Sequence, residues 1–228
     1  MYRLVLLRHG ESLWNNLNLF TGWYDSDLSD VGREQAFNAG KKIRQSGITC
    51  DIVLTSVLSR AIRTAWLALD GMGNITLPVY HHWHLNERHY GALQGMNKDE
   101  ARQQFGKDQV HLWRRSYRAA PPPLADNDLR HPKWDQRYKS IAAQDLPGTE
   151  SLADTYKRTI PFFQCQIAPL LRLNKTVMIS AHGNSLRTIT KYLLNISDQQ
   201  ISNVNIPNAA PIMYELDENL NFYRKYEL

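Results

Sequence analysis

Leu4-Val5-Leu6-Leu7-Arg8-His9-Gly10-Glu11-Ser12 joins an apolar run of strand length directly to a cluster of reactive polar side chains. Far downstream, Met178-Ile179-Ser180-Ala181-His182-Gly183-Asn184 follows the same plan, a short apolar run ending near a His-Gly pair. An uninterrupted apolar run bounded by turn residues reads as a strand buried on both faces. In open α/β sheets, sites form beyond the carboxyl ends of the strands. If these two strands are parallel neighbours, His9 and His182 meet at one rim, with Arg8 beside them. That pairing points to a histidine that takes up a phosphoryl group.

Outward from these stretches, strands and helices alternate. Ser29 is placed to cap a helix reaching about Ser46, with Ala36, Ala39, Gly40 and Ile43 on one face and Gly47 at its C-cap. Asp51–Leu54 reads as a second buried strand, followed by a helix from about Val57 to Leu69. Leu77–Tyr80 is a weaker strand whose Pro78 suggests an edge or a strand start. Ser151-Leu152-Ala153-Asp154 has the cap spacing for a long helix to about Leu173, bent at Pro161. A strand over Thr176–Ser180, a helix over Asn184–Leu194 and a last strand at Met213–Leu216 complete the series. The alternation predicts an α/β three-layer sandwich, with a mostly parallel central sheet flanked by helices. We expect one domain over residues 1–228. Residues 87–148, with a helical piece near Lys98–Phe105 and the run Pro121-Pro122-Pro123, read as an insertion covering the site.

Composition narrows the partners. Lys and Arg number 27 against 22 Asp and Glu, a net charge of +5 that suits an anionic small molecule as well as nucleic acid and by itself does not choose between them. Basic strings such as Arg114-Arg115 are short, and there is no basic tail, so no nucleic-acid partner is expected. Two isolated cysteines, Cys50 and Cys165, give no disulfide framework and no cysteine zinc site. The four-residue apolar run before Arg8 is too short for a signal peptide or a membrane span, so the expected setting is cytoplasmic with no membrane partner. His81-His82-Trp83-His84 raises a metal site, with His82 and His84 on one strand face, but no carboxylate or cysteine set accompanies them. No metal is expected, and this aromatic segment reads instead as a sheet edge or subunit contact.

Several residues could carry phosphoryl chemistry. Arg8 offers a fork of donors to phosphate oxygens, and the glycine after His9 would let backbone amides approach an anion. His9 is a nucleophile if neutral at the attacking nitrogen and oriented through the other. Ser12 and Asn15 would add neutral donors. Arg60, in the first turn of its helix, is unfavourably placed against the helix dipole unless an anion sits nearby. Glu87, within Asn86-Glu87-Arg88-His89-Tyr90-Gly91, suits a general acid/base if its surroundings tune it toward neutrality. Lys98 and Trp113-Arg114-Arg115 lie in the expected cover, where they would clamp a carboxylate or a second phosphate.

Taken in order, these motifs resemble the cofactor-dependent phosphoglycerate mutases of the histidine phosphatase superfamily. The likeness spans nearly the whole chain: Leu-Leu-Arg-His-Gly-Glu-Ser-Leu-Trp-Asn from Leu6, Phe-Thr-Gly-Trp-Tyr-Asp from Phe20, and Thr-Ser-Val-Leu-Ser-Arg-Ala-Ile from Thr55. It continues with Leu-Asn-Glu-Arg-His-Tyr-Gly-Ala-Leu-Gln-Gly from Leu85, Trp-Arg-Arg from Trp113 and Ala-His-Gly-Asn-Ser from Ala181. Arg-His-Gly alone indicates only the superfamily; the Glu87 and Trp113 segments are far more specific.

The resemblance implies that His9 is phosphorylated, that Glu87 is the acid/base, and that His182, Arg8 and Arg60 stabilise the transferring group. It implies that Ser12, Asn15, Thr21, Gly22, Gly183 and Asn184 line the phosphate and substrate site. Arg88, His89, Tyr90, Lys98, Arg114 and Arg115 would hold the rest of the sugar acid. The implied activity is interconversion of 3-phosphoglycerate and 2-phosphoglycerate, primed by 2,3-bisphosphoglycerate without a metal, in a homodimer or homotetramer. The close alternative is net phosphatase or bisphosphoglycerate mutase activity, though Ser12 resembles the monophosphoglycerate mutases. An inactive relative kept for binding is disfavoured, because every proposed reactive side chain is present. Where relatives commonly read Asn-Ile-Pro-Thr-Gly, this chain has Asn205-Ile206-Pro207-Asn208-Ala209, so Ala209 is expected to restrict the backbone. Relatives also continue into an Ala- and Lys-rich tail. Ending at Leu228, this chain is expected to admit water to the phosphohistidine more readily.

Overall fold

In the computed structural model, which describes residues 1–228, six strands form one sheet. They are β1 (Tyr2–Arg8), β2 (Ile52–Thr55), β3 (Val79–His81), β4 (Val177–Ala181), β5 (Ile212–Leu216) and β6 (Phe222–Glu227). The spatial order is β3-β2-β4-β1-β5-β6. The first four strands run parallel, and β5 and β6 add an antiparallel edge. The expected α/β class with a mostly parallel sheet flanked by helices is the one observed. β1 and β4 are indeed parallel neighbours, with Arg8 opposite Ala181, so the two His-Gly pairs leave the sheet side by side.

The helices are α1 (Leu13–Asn16), α2 (Asp30–Gln45), α3 (Ser59–Met72), α4 (Lys98–Phe105), α5 (Lys107–Arg115), α6 (Leu152–Phe162), α7 (Ala168–Arg172) and α8 (Gly183–Leu193). Alternate residues of β1 serve opposite faces of the sheet. Leu4 and Leu6 pack with Ile160, Leu171, Leu186 and Ile189 of α6, α7 and α8. Val5 and Leu7 pack with Ala39 and Ile43 of α2 and with Ala65 and Leu69 of α3. Burial on both faces explains why these strands carry no polar alternation.

Ser29 caps α2 as expected, its Oγ accepting from Gly32 N at 3.0 Å. Ser46, still right-handed, is the C-cap, and Gly47 follows it at φ 72°. The helix expected from Val57 starts at Ser59 because Leu58 is extended, and it runs on to Met72. The expected long helix ending at Leu173 is observed as one continuous helical run, made of α6, a π-helical turn at Phe163–Ile167, and α7. The π turn falls just ahead of Pro169, which has no N–H for the carbonyl of Cys165, and Pro161 lies within α6. Sequence patterning did not foresee α5 or β6; every β6 residue is exposed, so it shows no buried face.

Residues 87–148 carry α4, α5 and short 3₁₀ turns. Phe20, Leu93, Ala101, Val110 and Trp113 form a small cluster that fastens α4 and α5 to the body. The shared strand face expected for His82 and His84 does not form. β3 ends at His81, His84 lies in a 3₁₀ turn, and both rings pack on Phe162, with centroids 4.6 and 5.1 Å away. No group of three or more His, Cys, Asp or Glu is arranged to hold a metal ion. No helix is long and apolar enough to cross a membrane.

Candidate active site

His9 follows β1 and is fixed by its own backbone, its N–H donating to Ala181 O at 2.9 Å. Its Nδ1 lies 2.7 Å from Gly10 O. A carbonyl only accepts, so Nδ1 carries the proton and Nε2 keeps its lone pair. Burial, then the charges of Arg60 and Arg8, hold the imidazole well below its ordinary pKa. The ring is therefore neutral at physiological pH and nucleophilic at Nε2.

Gly10 serves a different purpose from the one expected. Its amide donates to Thr64 Oγ1 at 3.1 Å rather than facing an anion. A Cβ at this position would lie 2.2 Å from Gly32 O. The glycine is needed for close packing of the His9 loop on α2.

His182 leaves β4 as predicted, its ring centroid 5.1 Å from that of His9. Its Nε2 lies 2.7 Å from Ser56 Oγ, and its buried Nδ1 has no protein partner. Burial, then Arg60 and His9, lower its pKa well below the usual value. Arg60 is fully buried rather than at the surface, donating to Tyr24 O at 2.9 Å and Gly22 O at 2.7 Å. Burial lowers it to about 10, so it stays charged at neutral pH. Arg8 donates from Nη1 to Ile206 O at 2.8 Å and leaves Nε unpaired.

A cavity of ≈ 160 Å³ opens at this rim. Drug-sized pockets hold roughly 300–1,000 Å³, so this one suits a small ligand. Of the residues singled out in the sequence, Arg8, His9, Asn15, Thr21, Gly22, Arg60, Glu87, Tyr90, Lys98, Arg114, Arg115, Gly183 and Asn184 line it. Four expected residues do not. Ser12 caps α1, its Oγ accepting from Asn15 N at 3.1 Å. Arg88 lies behind the wall, donating to Tyr90 Oη at 3.1 Å and Arg114 O at 3.0 Å. His89 is buried, its N–H donating to Glu150 Oε2 at 2.8 Å. His182 likewise stands behind the lining, against Ser56.

Glu87 is the one carboxylate in the lining. Its Oε1 accepts from Arg88 N at 2.7 Å and from Asn184 N at 3.1 Å, and Oε2 is free of protein hydrogen bonds. Tyr90 Oη also accepts from Asn184 Nδ2 at 3.4 Å. Burial alone would raise the Tyr90 phenol, but the neighbouring Arg88 brings it below its usual value. Lys98 and Arg114 are both lowered, first by burial; Arg114 adds to the effect on Lys98.

Sequence reasoning missed Arg187, which also lines the cavity and donates to Asn184 Oδ1 at 2.9 Å. It sits one helical turn beyond Gly183 on α8, and that spacing was the available signal. Asn205 and Ile206 complete the wall. Beyond them, Asn208 Nδ2 donates to His9 O and Ala209 N to Arg8 O, both at 2.9 Å, with Ala209 at φ 48°.

Six cations thus face one carboxylate around a neutral histidine. Thr21 Oγ1 and Arg8 Nε are buried and unpaired within this wall. Buried donors without partners call for an explanation, and the oxygens of an anionic ligand supply one. The arrangement can bind a phosphorylated anion and stabilise an in-line transfer to nitrogen by fixed charges.

A family model described as the histidine phosphatase superfamily (branch 1) matches residues 4–130 and 124–227. Among solved structures, the chain is similar to a mycobacterial glucosyl-3-phosphoglycerate phosphatase in complex with VO3. That match has 22% identity and a TM-score of 0.75, over 100% of this chain and 97% of the other. It is similar to Bacillus stearothermophilus YhfR at 24% identity and TM-score 0.72, covering 97% and 94% of the two chains. It also resembles an alpha-ribazole phosphatase from Shigella flexneri, at 21% identity and TM-score 0.70, covering 97% and 94%.

Proposed function

The chain belongs to the histidine phosphatase superfamily, and on that premise we propose that it interconverts 3-phosphoglycerate and 2-phosphoglycerate through a phosphorylated His9. One observation carries the choice of substrate class. Past Arg8 and Arg60, which flank His9, the cavity wall holds four further cations, Lys98, Arg114, Arg115 and Arg187. A single phosphoryl group needs only the first pair. The second set suits a ligand with a further anionic group, as a phosphoglycerate has in its carboxylate.

In the proposed reaction, Nε2 of His9 attacks phosphorus in line while the bond to the substrate oxygen breaks. Arg8 and Arg60 offset the charge on the equatorial oxygens, and His182 supports them from behind. Glu87 gives a proton to the departing oxygen and, in the reverse direction, takes one from the attacking hydroxyl. Lys98, Arg114 and Arg115 hold the remainder of the sugar acid. The surplus of cations lining the cavity fits 2,3-bisphosphoglycerate, which when bound supplies the phosphoryl group that primes His9.

The comparisons by themselves lean toward a second reading, net hydrolysis, because two of the similar solved structures are phosphatases. The two readings differ in whether the sugar acid or water receives the group from His9. Phosphorus NMR of the protein with 3-phosphoglycerate and a catalytic amount of 2,3-bisphosphoglycerate decides between them. The mutase reading expects 2-phosphoglycerate to form well ahead of inorganic phosphate. Phosphate release without 2-phosphoglycerate makes the protein a phosphatase, and accumulating bisphosphoglycerate makes it a bisphosphoglycerate mutase.

A further inference from the structure

Glu87 stands in an irregular stretch between the 3₁₀ turns Trp83–Leu85 and Gly91–Leu93. What holds this stretch comes from α6 and the residue just before its cap. Arg158 donates from Nη1 to His84 O at 2.8 Å, and from Nη2 to Asn86 O at 3.1 Å and Glu87 O at 2.9 Å. The same guanidinium meets both oxygens of Glu150, at 2.6 and 2.9 Å. Glu150 in turn accepts from His89 N at 2.8 Å, and its own N–H donates to His89 O at 2.9 Å. One ion pair therefore grips the backbone on both sides of Glu87. Trp23 completes the grip: its Nε1 donates to Glu87 O at 2.5 Å, and its ring lies 5.5 Å from the Arg158 guanidinium.

The pair is buried, with only 8% of the Arg158 side chain and 3% of the Glu150 side chain exposed. Replacing such a pair by packed apolar residues is often neutral or stabilising, so fold stability is a weak reason for its presence. Neither residue lines the cavity. We infer that Arg158 and Glu150 are positioning residues for Glu87, fixing the depth at which its carboxylate meets the departing oxygen. The inference rests on the proposal that Glu87 exchanges that proton. Arginine is required because its planar fork reaches Glu150 and three carbonyls at once, which a lysine ammonium cannot do.

The test compares two leaving groups. In turnover of 3-phosphoglycerate, phosphorylated His9 first donates to the free hydroxyl, and transfer from the resulting bisphosphoglycerate back to His9 breaks a P–O bond and leaves the electron pair on an alkoxide oxygen, which needs a proton. Transfer from p-nitrophenyl phosphate leaves a stable phenolate, which needs none. Arg158→Lys and the isosteric Glu150→Gln are assayed at a temperature where circular dichroism shows both folded. We expect kcat for 3-phosphoglycerate to fall about 10–100-fold with KM within about threefold. The loss on 3-phosphoglycerate should exceed the loss on p-nitrophenyl phosphate by about tenfold or more. Equal losses on the two substrates overturn the positioning role. Glu87→Gln, run in parallel, separates the two readings. If it lacks leaving-group selectivity, the acid role of Glu87 fails, and the inference with it. If it has the selectivity and the pair variants do not, only the positioning role fails.

Discussion

Replacing Gly32 with alanine tests how tightly the reacting histidine is held. Gly32 lies in the first turn of α2, against the loop that carries His9, and a Cβ there would sit 1.9 Å from Glu11 O and 2.8 Å from Glu11 N. Real Cβ contacts essentially never fall under 3.0 Å, and the atoms met are backbone, which cannot rotate away. Helix and loop must therefore part by about 1 Å. Overpacking of this kind costs about 1–3 kcal/mol, partly offset by the ~1 kcal/mol that alanine gains over glycine inside a helix. The expected net loss of stability is about 0–2 kcal/mol, too little to unfold the domain. A displacement of about 1 Å at the nucleophile costs roughly 100-fold in rate. Initial rates of phosphoryl transfer, measured beside urea denaturation, should show a folded protein with roughly 1% of its activity. Gly148→Ala is the control, since a Cβ there meets only His131 at 3.5 Å. If Gly32→Ala kept activity within about threefold, the packing of Gly32 against the Glu11 backbone would not be what fixes His9.

Two further outcomes concern stability. His89 is pushed down to about 3 by burial, so the unfolded chain binds a proton below its ordinary pKa while the folded chain does not. Stability contributed by neutral His89 is complete above pH 6.5 and is lost as pH falls from there toward 3, by about 1.4 kcal/mol per pH unit. His89→Asn keeps an acceptor for Gly91 N, so its urea midpoint should fall less steeply with acid than the parent's; parallel slopes would contradict this assignment. Ala209 holds φ 48°, a conformation that costs about 1–2 kcal/mol for an L side chain. Ala209→Gly should raise stability by about 0.5–1 kcal/mol after the extra entropy of glycine, read as a higher Tm, and a lower Tm would refute the strain.

Local physics made most of the frame legible. Leu4–Leu7 had to be buried on both faces, and the side chains of Ser29 and Ser151 could be matched to amides three residues ahead. The rim residues Arg8, His9 and His182 followed from strand ends. Features that depend on distant partners were not legible. The need for glycine at position 10 is created by Gly32, which no spacing rule connects to it. Nothing in the sequence sets Arg158 apart from the other charges of its helix, because its partners, Glu150 and the backbone around Glu87, are brought to it only by the fold. Ser12 was the reverse case: its spacing to Asn15 is a capping signal, yet its place beside His9 suggested a ligand contact. β6 was hidden because both of its faces meet solvent.

The chemistry assigned to His9 is tested most directly by locating the transferred group. The protein is incubated with 2,3-bisphosphoglycerate carrying labelled phosphate, then digested under alkaline conditions that preserve phosphohistidine. The orientation imposed by the Nδ1 bond to Gly10 O predicts label on His9 alone, at Nε2. Label at Nδ1 of His9, on His182, or on no residue would contradict a mechanism built on a free Nε2.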